Sequence, residues 1–154
     1  MDTSRQELYS DHKNTNSYFI FEHSNNWKYG EEYQAEYRCT DDNLFLMIEP
    51  IIKELEKIYD GRIAKCLFIR LPSKKDVKEH KDNGDYLNAV KRCHIAIETN
   101  EETFFYVNNE KKNMEVGDCW EINNMKSHYV KNDGETDRIH LLIDILPNDL
   151  FSKS

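Results

Sequence analysis

IAKCLFIRL (63–71), RCHIAIET (92–99), TFFYVN (103–108), MEVGDCWEIN (114–123), SHYVKN (127–132) and RIHLLIDIL (138–146) are short runs rich in β-branched and aromatic residues, all lying after Gly61. Runs of this length and composition read as strands. Turn chemistry separates them at Asn108-Asn109, Gly117-Asp118 and Asn132-Asp133-Gly134. Upstream the texture differs. Leu44, Met47, Ile48, Ile51, Leu55 and Ile58 recur at three- and four-residue steps with charges between them, which predicts a helix with that stripe as its core face. Asp41-Asp42-Asn43 opens the helix, Asp60-Gly61 ends it, and Pro50 starts its regular part or kinks it. One helix followed by a crowd of short strands argues for an α+β fold built on an antiparallel double sheet or jelly roll.

The chain of 154 residues fits a single domain that buries roughly two thirds of its unfolded surface. We divide it into a flexible arm (1–16), a strand-and-helix support (17–60) and a jelly-roll core (61–147). The support is dense in aromatics, among them Tyr18, Phe19, Phe21, Trp27, Tyr29, Tyr33 and Tyr37, which read as core and rim packing ahead of a substrate-contacting wall. With 21 Lys+Arg against 29 Asp+Glu the formal charge is −8, and no basic stripe offers itself to phosphates. Nucleic acid is not an expected partner; a cationic or zwitterionic small molecule is electrostatically easier. No run has the length of a membrane span and the start lacks the apolar core of a signal peptide, so a soluble cytoplasmic protein is expected. Cys39, Cys66, Cys93 and Cys119 form no CxxC pair and read as reduced thiols.

The residues that carry chemistry are His80, Asp82, His128 and Arg138. His80 and Asp82 are two apart, so on an extended segment both side chains leave from one face and can converge on an ion. His128 must join them from elsewhere, and a jelly roll returns distant strands beside earlier ones. Two imidazoles and one carboxylate hold one face of non-haem Fe(II) and leave the other positions open. Arg138 opens an otherwise apolar strand and needs an anionic partner: either the carboxylate of a co-substrate, held through two parallel hydrogen bonds, or a structural salt bridge with Asp137 or Asp144. On KRCHIAIE (91–98), alternation puts Arg92, His94, Ala96 and Glu98 on one face, read as a pocket wall that small Ala96 opens, and Cys93, Ile95 and Ile97 on the core face. His140 shares a face with Arg138 and reads as a satisfied core or supporting histidine; His12 and His23 read as surface residues.

From Leu67 to Pro147 the chain resembles the aspartyl/asparaginyl β-hydroxylase-like family of Fe(II)- and 2-oxoglutarate-dependent oxygenases. The stretches that carry the resemblance are FIRLPSKKDVKEHKD, RCHIAIETN, VGDCWEINNMKSHYVKN and DRIHLLIDIL, in the family's order. The resemblance implies a double-stranded β-helix, a cupin-like jelly roll with one main flanking helix. It implies that His80, Asp82 and His128 bind Fe(II), that Arg138 grips the far carboxylate of 2-oxoglutarate, and that Arg92 and His94 line the same co-substrate pocket. The chain departs from the family at LPSKKD (71–76), where members carry a glycine turn before the first ligand, which bears on Arg70. The expected activity is hydroxylation of an aspartyl/asparaginyl- or proline-like amino acid or short peptide by dioxygen, with release of succinate and CO2. The rival readings are a non-catalytic cupin-like protein that senses a carboxylate and a zinc hydrolase, since the same donors suit zinc.

Overall fold

The structure, a computed structural model, describes residues 14–151. Its elements are β1 (Asn16–Glu22), β2 (Glu36–Tyr37), helix α1 (Asp42–Ile58), β3 (Gly61–Leu71), β4 (Asp76–His80), a short helix α2 (Asp85–Ala89), β5 (Lys91–Glu98), β6 (Thr103–Val107), β7 (Glu110–Lys112), β8 (Cys119–Ile122), β9 (His128–Asn132) and β10 (Arg138–Pro147). The strands form two antiparallel sheets: a large one in the order β2-β1-β3-β10-β5-β8 and a small one in the order β4-β9-β6-β7. This is the α+β jelly roll that the strand runs predict.

Alternation along the strands decides what each face of the large sheet meets. Leu141, Ile143 and Ile145 of β10, with Cys66, Cys93 and Ile95 beside them, pack under Ile48, Ile52 and Leu55 of α1. On the opposite face Leu71 and Ala96 meet Val77, Phe105 and Val130 of the small sheet, closing the interior of the roll. Burying each large aliphatic side chain stabilises the fold by roughly 1.5–3 kcal/mol. The α1 helix begins where expected, because the Asp41 carboxylate accepts the Leu44 N–H at 3.1 Å as an N-cap. Pro50 lies inside the helix. At its far end Asp60 adopts a positive φ of 43°, and Gly61 passes so close to β10 that a Cβ there would sit 2.5 Å from Ile145 Cγ2.

Several expectations need correction. The helix stripe is rotated: Met47 and Ile58 are 74% and 61% exposed, and Ile52 takes the buried position. The run 114–123 yields a strand only over Cys119–Ile122, since Glu115–Asp118 make a turn around Gly117. Ile97 is largely exposed, lining an open apolar groove between α1 and β5 instead of packing in the core. The polar β4 and the short α2 carry no hydrophobic period and were not anticipated. At the chain start, Asn14 donates to the Asp76 carbonyl at 3.0 Å, Thr15 is buried and Asn16 begins β1, so the last residues of the expected arm are part of the sheet; residues 1–13 and His12 lie outside the described residues. His23 is buried, stacked between Tyr33 and Tyr86 at 4.7 and 4.9 Å. The aromatics of residues 17–40 pack as core and rim, as expected: Phe21 and Tyr37 against Phe45 of α1, Trp27 and Tyr33 against Phe151, with Tyr29 and Tyr37 partly open to solvent. The four cysteines are free thiols. No helix among the described residues is long and apolar enough to cross a membrane.

Candidate metal centre and the cavity behind it

The last residue of β4 and the first of β9 lie directly opposite each other in the small sheet, and they are His80 and His128. Their ring centroids are 4.3 Å apart. His80 Nδ1 lies 2.7 Å from the Lys78 carbonyl, and His128 Nδ1 lies 2.8 Å from the Lys126 carbonyl. A carbonyl only accepts, so each Nδ1 carries the proton and each Nε2 keeps a lone pair for an ion. Asp82 completes the group. Its Oδ1 is 3.6 Å from His80 Nε2 and 3.9 Å from His128 Nε2, and one donor atom from each residue lies within 4.8 Å of the others. Burial holds the His128 imidazolium below its ordinary pKa, which favours the neutral, ligating form.

The second oxygen of Asp82 is committed elsewhere. Asp82 Oδ2 accepts from Arg92 Nη1 at 2.9 Å and from Asn124 Nδ2 at 3.2 Å, while the Asp82 N–H donates to the Asn124 carbonyl at 3.1 Å. Arg92 is itself fixed by a two-pronged pair with Asp144, Nε to Oδ1 and Nη2 to Oδ2, both 2.8 Å. The Tyr86 hydroxyl donates to the same Asp144 oxygen at 2.8 Å. Burial alone would lower the Arg92 pKa and raise that of Asp144; their mutual attraction reverses both, so the pair stays charged. Arg92 also lines the cavity behind this group, as expected, and its cation borders the metal-ligand group. All three of its nitrogens already serve carboxylates, and it holds the orientation of Asp82.

Arg138 is the opposite case. It is 2% exposed, and its Nε and Nη1 are buried with no hydrogen-bond partner among the described residues. Neither salt-bridge candidate is available: Asp137 takes Arg70 Nε at 2.7 Å, and Asp144 takes Arg92. The contact with Asp137, together with one to Asn16, gives Arg70 a structural place at the end of β3. Burial without a counter-ion pulls the Arg138 pKa down to about 10. The guanidinium faces a cavity of about 470 Å³, counting its open mouth, whose walls include His80, His128, Arg92, His94 and Thr15. The cavity thus runs from the metal-ligand group to a buried cation. An orphaned guanidinium at such a place fits a carboxylate, and the donor set at the other end fits a divalent ion.

His94 lines this cavity as expected, and its Nδ1 is 3.1 Å from Nδ1 of His140. One of the two must donate and the other accept, so the accepting ring carries its proton on Nε2. Burial, then the fields of Arg138 and His94, hold His140 well below the usual histidine range. Ala96 differs from expectation: it is fully buried between the sheets and does not line the cavity. Sequence reasoning missed Asn124, Tyr86, Thr15 and the anchoring role of Asp144. The one available signal was Asp144 itself, a charge inside an apolar strand and on the same face as Arg138.

The sequence pattern of the family described as aspartyl/asparaginyl beta-hydroxylase matches residues 6–147. The chain belongs to that family. Membership in the aspartyl/asparaginyl β-hydroxylase family makes it a hydroxylase. No curated protein matches the chain. Similar solved structures include a predicted oxalate decarboxylase from Thermotoga maritima (22% identity, 61% of this chain and 73% of that one, TM-score 0.45). A cupin domain from Bordetella pertussis is similar at 15% identity, over 56% of this chain and 84% of that one, with a TM-score of 0.43. A cupin domain of an XRE-family transcriptional regulator from Enterobacter cloacae is similar at 14% identity, over 54% and 81%, with a TM-score of 0.44.

Proposed function

We propose that the protein is an Fe(II)- and 2-oxoglutarate-dependent dioxygenase that hydroxylates an amino acid or short peptide. The observation that carries this reading is the buried, unpartnered Arg138 at one end of a cavity whose other end is the His80, Asp82, His128 group. In this reading His80 and His128 ligate through Nε2 and Asp82 through Oδ1, while Arg92 and Asn124 keep Oδ2 turned away. Arg138 pairs with the far carboxylate of 2-oxoglutarate, and His94, held by His140, faces the co-substrate from the wall. The apolar walls around Ile69, Val77 and Leu142 exclude water, which strengthens each of these charge contacts. When bound, the iron and 2-oxoglutarate supply the oxidising chemistry, sending one atom of O2 to the substrate and the other to succinate as CO2 leaves.

The test is succinate release from 2-oxoglutarate on addition of Fe(II) and a panel of amino acids, with 18O2 as tracer. The reading expects succinate with Fe(II), none with zinc, and a product that gains one oxygen from O2. Tight 2-oxoglutarate binding without any succinate would instead favour a carboxylate sensor. Turnover with zinc and no 2-oxoglutarate would favour a hydrolase.

A further inference from the structure

The small and large sheets both end in open edges on the same side of the roll, β7 on one and β8 on the other. Between them lies a groove of about 770 Å³, counting its open face. Its floor is apolar, made by Phe105, Val107, Met114, Trp120 and Ile122. Two of these residues, Phe105 and Ile122, are also walls of the metal cavity, so groove and cavity are divided only by shared side chains. Phe105 stacks on His128 at 6.2 Å and meets His94 edge-on at 5.2 Å, and Val107 is the cross-strand partner of His128. The groove therefore abuts a metal ligand.

The rim supplies the charges. In β7, Lys112 lies across from Phe105 and Glu110 across from Val107, so by alternation both sit on the groove face. Lys112 Nζ is held 4.5 Å from the centre of the Trp120 ring. Lys111 and Glu121 also border the groove, but their charged ends are engaged outside it, Lys111 over Phe104 and Glu121 with Tyr59. A cation and an anion two residues apart above an apolar floor complement a zwitterion with an apolar side chain.

Resting on the oxygenase reading above, we propose that this groove is the substrate site and that it takes a free apolar α-amino acid. Lys112 takes the carboxylate and Glu110 the ammonium, and the side chain lies against Phe105 and Ile122, the residues that border the metal cavity. Trp120 sets specificity by forming the apolar wall beside Lys112. An acidic side chain would have to lie on that apolar floor without a counter-ion, so aspartate is disfavoured.

The experiment is calorimetric binding to protein loaded with Mn(II), in place of Fe(II), and 2-oxoglutarate, so that no turnover intervenes. The probes are leucine, isoleucine, valine, methionine, proline, phenylalanine and aspartate, with 4-methylpentanoate and 3-methylbutylamine as leucine lacking one charge each. At least one apolar amino acid should bind at least tenfold more tightly than aspartate and, for leucine-like probes, than either single-charge analogue. Lys112→Met, Glu110→Gln and Trp120→Leu should each lose tenfold or more of that affinity while keeping Mn(II) and 2-oxoglutarate binding. Lys112 and Glu110 are exposed, so their replacement leaves the core untouched. Retained 2-oxoglutarate binding with no amino acid bound, or with variants that bind like wild type, overturns the groove assignment alone. Failure of the wild type to bind 2-oxoglutarate overturns the oxygenase reading and this proposal with it.

Discussion

Replacing Arg138 should separate function from stability. Arg138→Ala removes the partner of a buried carboxylate, an effect of roughly 2–5 kcal/mol, and should raise the apparent KM for 2-oxoglutarate well over tenfold, with Lys restoring only part. Arg138→Met should bind no 2-oxoglutarate yet unfold at higher urea when ligand-free, by about 1–3 kcal/mol, because unsatisfied buried donors are gone. The pH dependence has a definite sign. With its pKa pulled down to about 10, the folded chain binds fewer protons than the unfolded chain from about that pH up to the ordinary arginine range. Ligand-free stability should therefore gain as pH rises through that window, while 2-oxoglutarate affinity falls in the same window. Asp144→Asn should act at a distance: it leaves the Arg92 cation underpaired, costing about 3–5 kcal/mol in urea unfolding. It should also weaken Mn(II) binding by about 10- to 100-fold, because the two-pronged pair with Asp144 is what holds Arg92 against Asp82. Residue type and spacing, with the family resemblance, nominate His80, Asp82, His128 and Arg138 in the sequence, and the structure brings them around one cavity. The true partner of Arg92 was not legible there, since it depends on β5 and β10 pairing in the register that sets Asp144 opposite Arg92. His23 was misread for the same reason, as its burial comes from Tyr33 and Tyr86, which are distant in sequence.

At the scale of elements, α1 gives the sharpest test of packing. Ile52→Ala should cost about 2–4 kcal/mol, whereas Met47→Lys and Ile58→Lys should stay within about 0.5 kcal/mol, all read from urea midpoints. The reverse ranking would place the stripe where periodicity alone put it. Three- and four-residue spacing fixes that a helix exists and roughly which side is apolar. It does not fix the rotation, because positions such as Met47 and Ile52 border the stripe on either side and only the curvature of the sheet beneath chooses between them. Strands with alternating apolar residues were legible for the same reason that β4 was not. DVKEH has little to bury, and it becomes a strand because β9 pairs with it, bringing His128 opposite His80.

For the whole molecule, the join between the two sheets depends on one fully buried amide. Asn132 Nδ2 donates to the carbonyls of Leu71 and Thr136, at 3.2 and 2.9 Å, and its Oδ1 accepts from Thr103 Oγ1 at 3.0 Å and Gly134 N at 3.1 Å. Leu71 ends a strand of the large sheet and Thr103 begins one of the small sheet. Asn132→Leu should cost at least about 3 kcal/mol in urea unfolding, since each partner left unpaired in the interior costs about 1–3 kcal/mol. A neutral result would mean that the two sheets are joined by their apolar faces alone. The sequence marked residues 132–134 only as a turn, because an amide that bridges sheets looks like any turn asparagine until the strands are assembled.

The register of β10 has a consequence for how this family member can change over generations. Arg138, His140, Leu142 and Asp144 alternate with residues that pack under α1, so one strand sets the buried cation, the support of His94, part of the cavity wall and the anchor of Arg92. Substitutions along it can be sampled one at a time. A single inserted or deleted residue cannot, because beyond it every side chain would exchange faces, sending charges towards the helix and leucines into the cavity. Length variation among descendants of this chain should therefore collect in its turns, while β10 is inherited as an indivisible block.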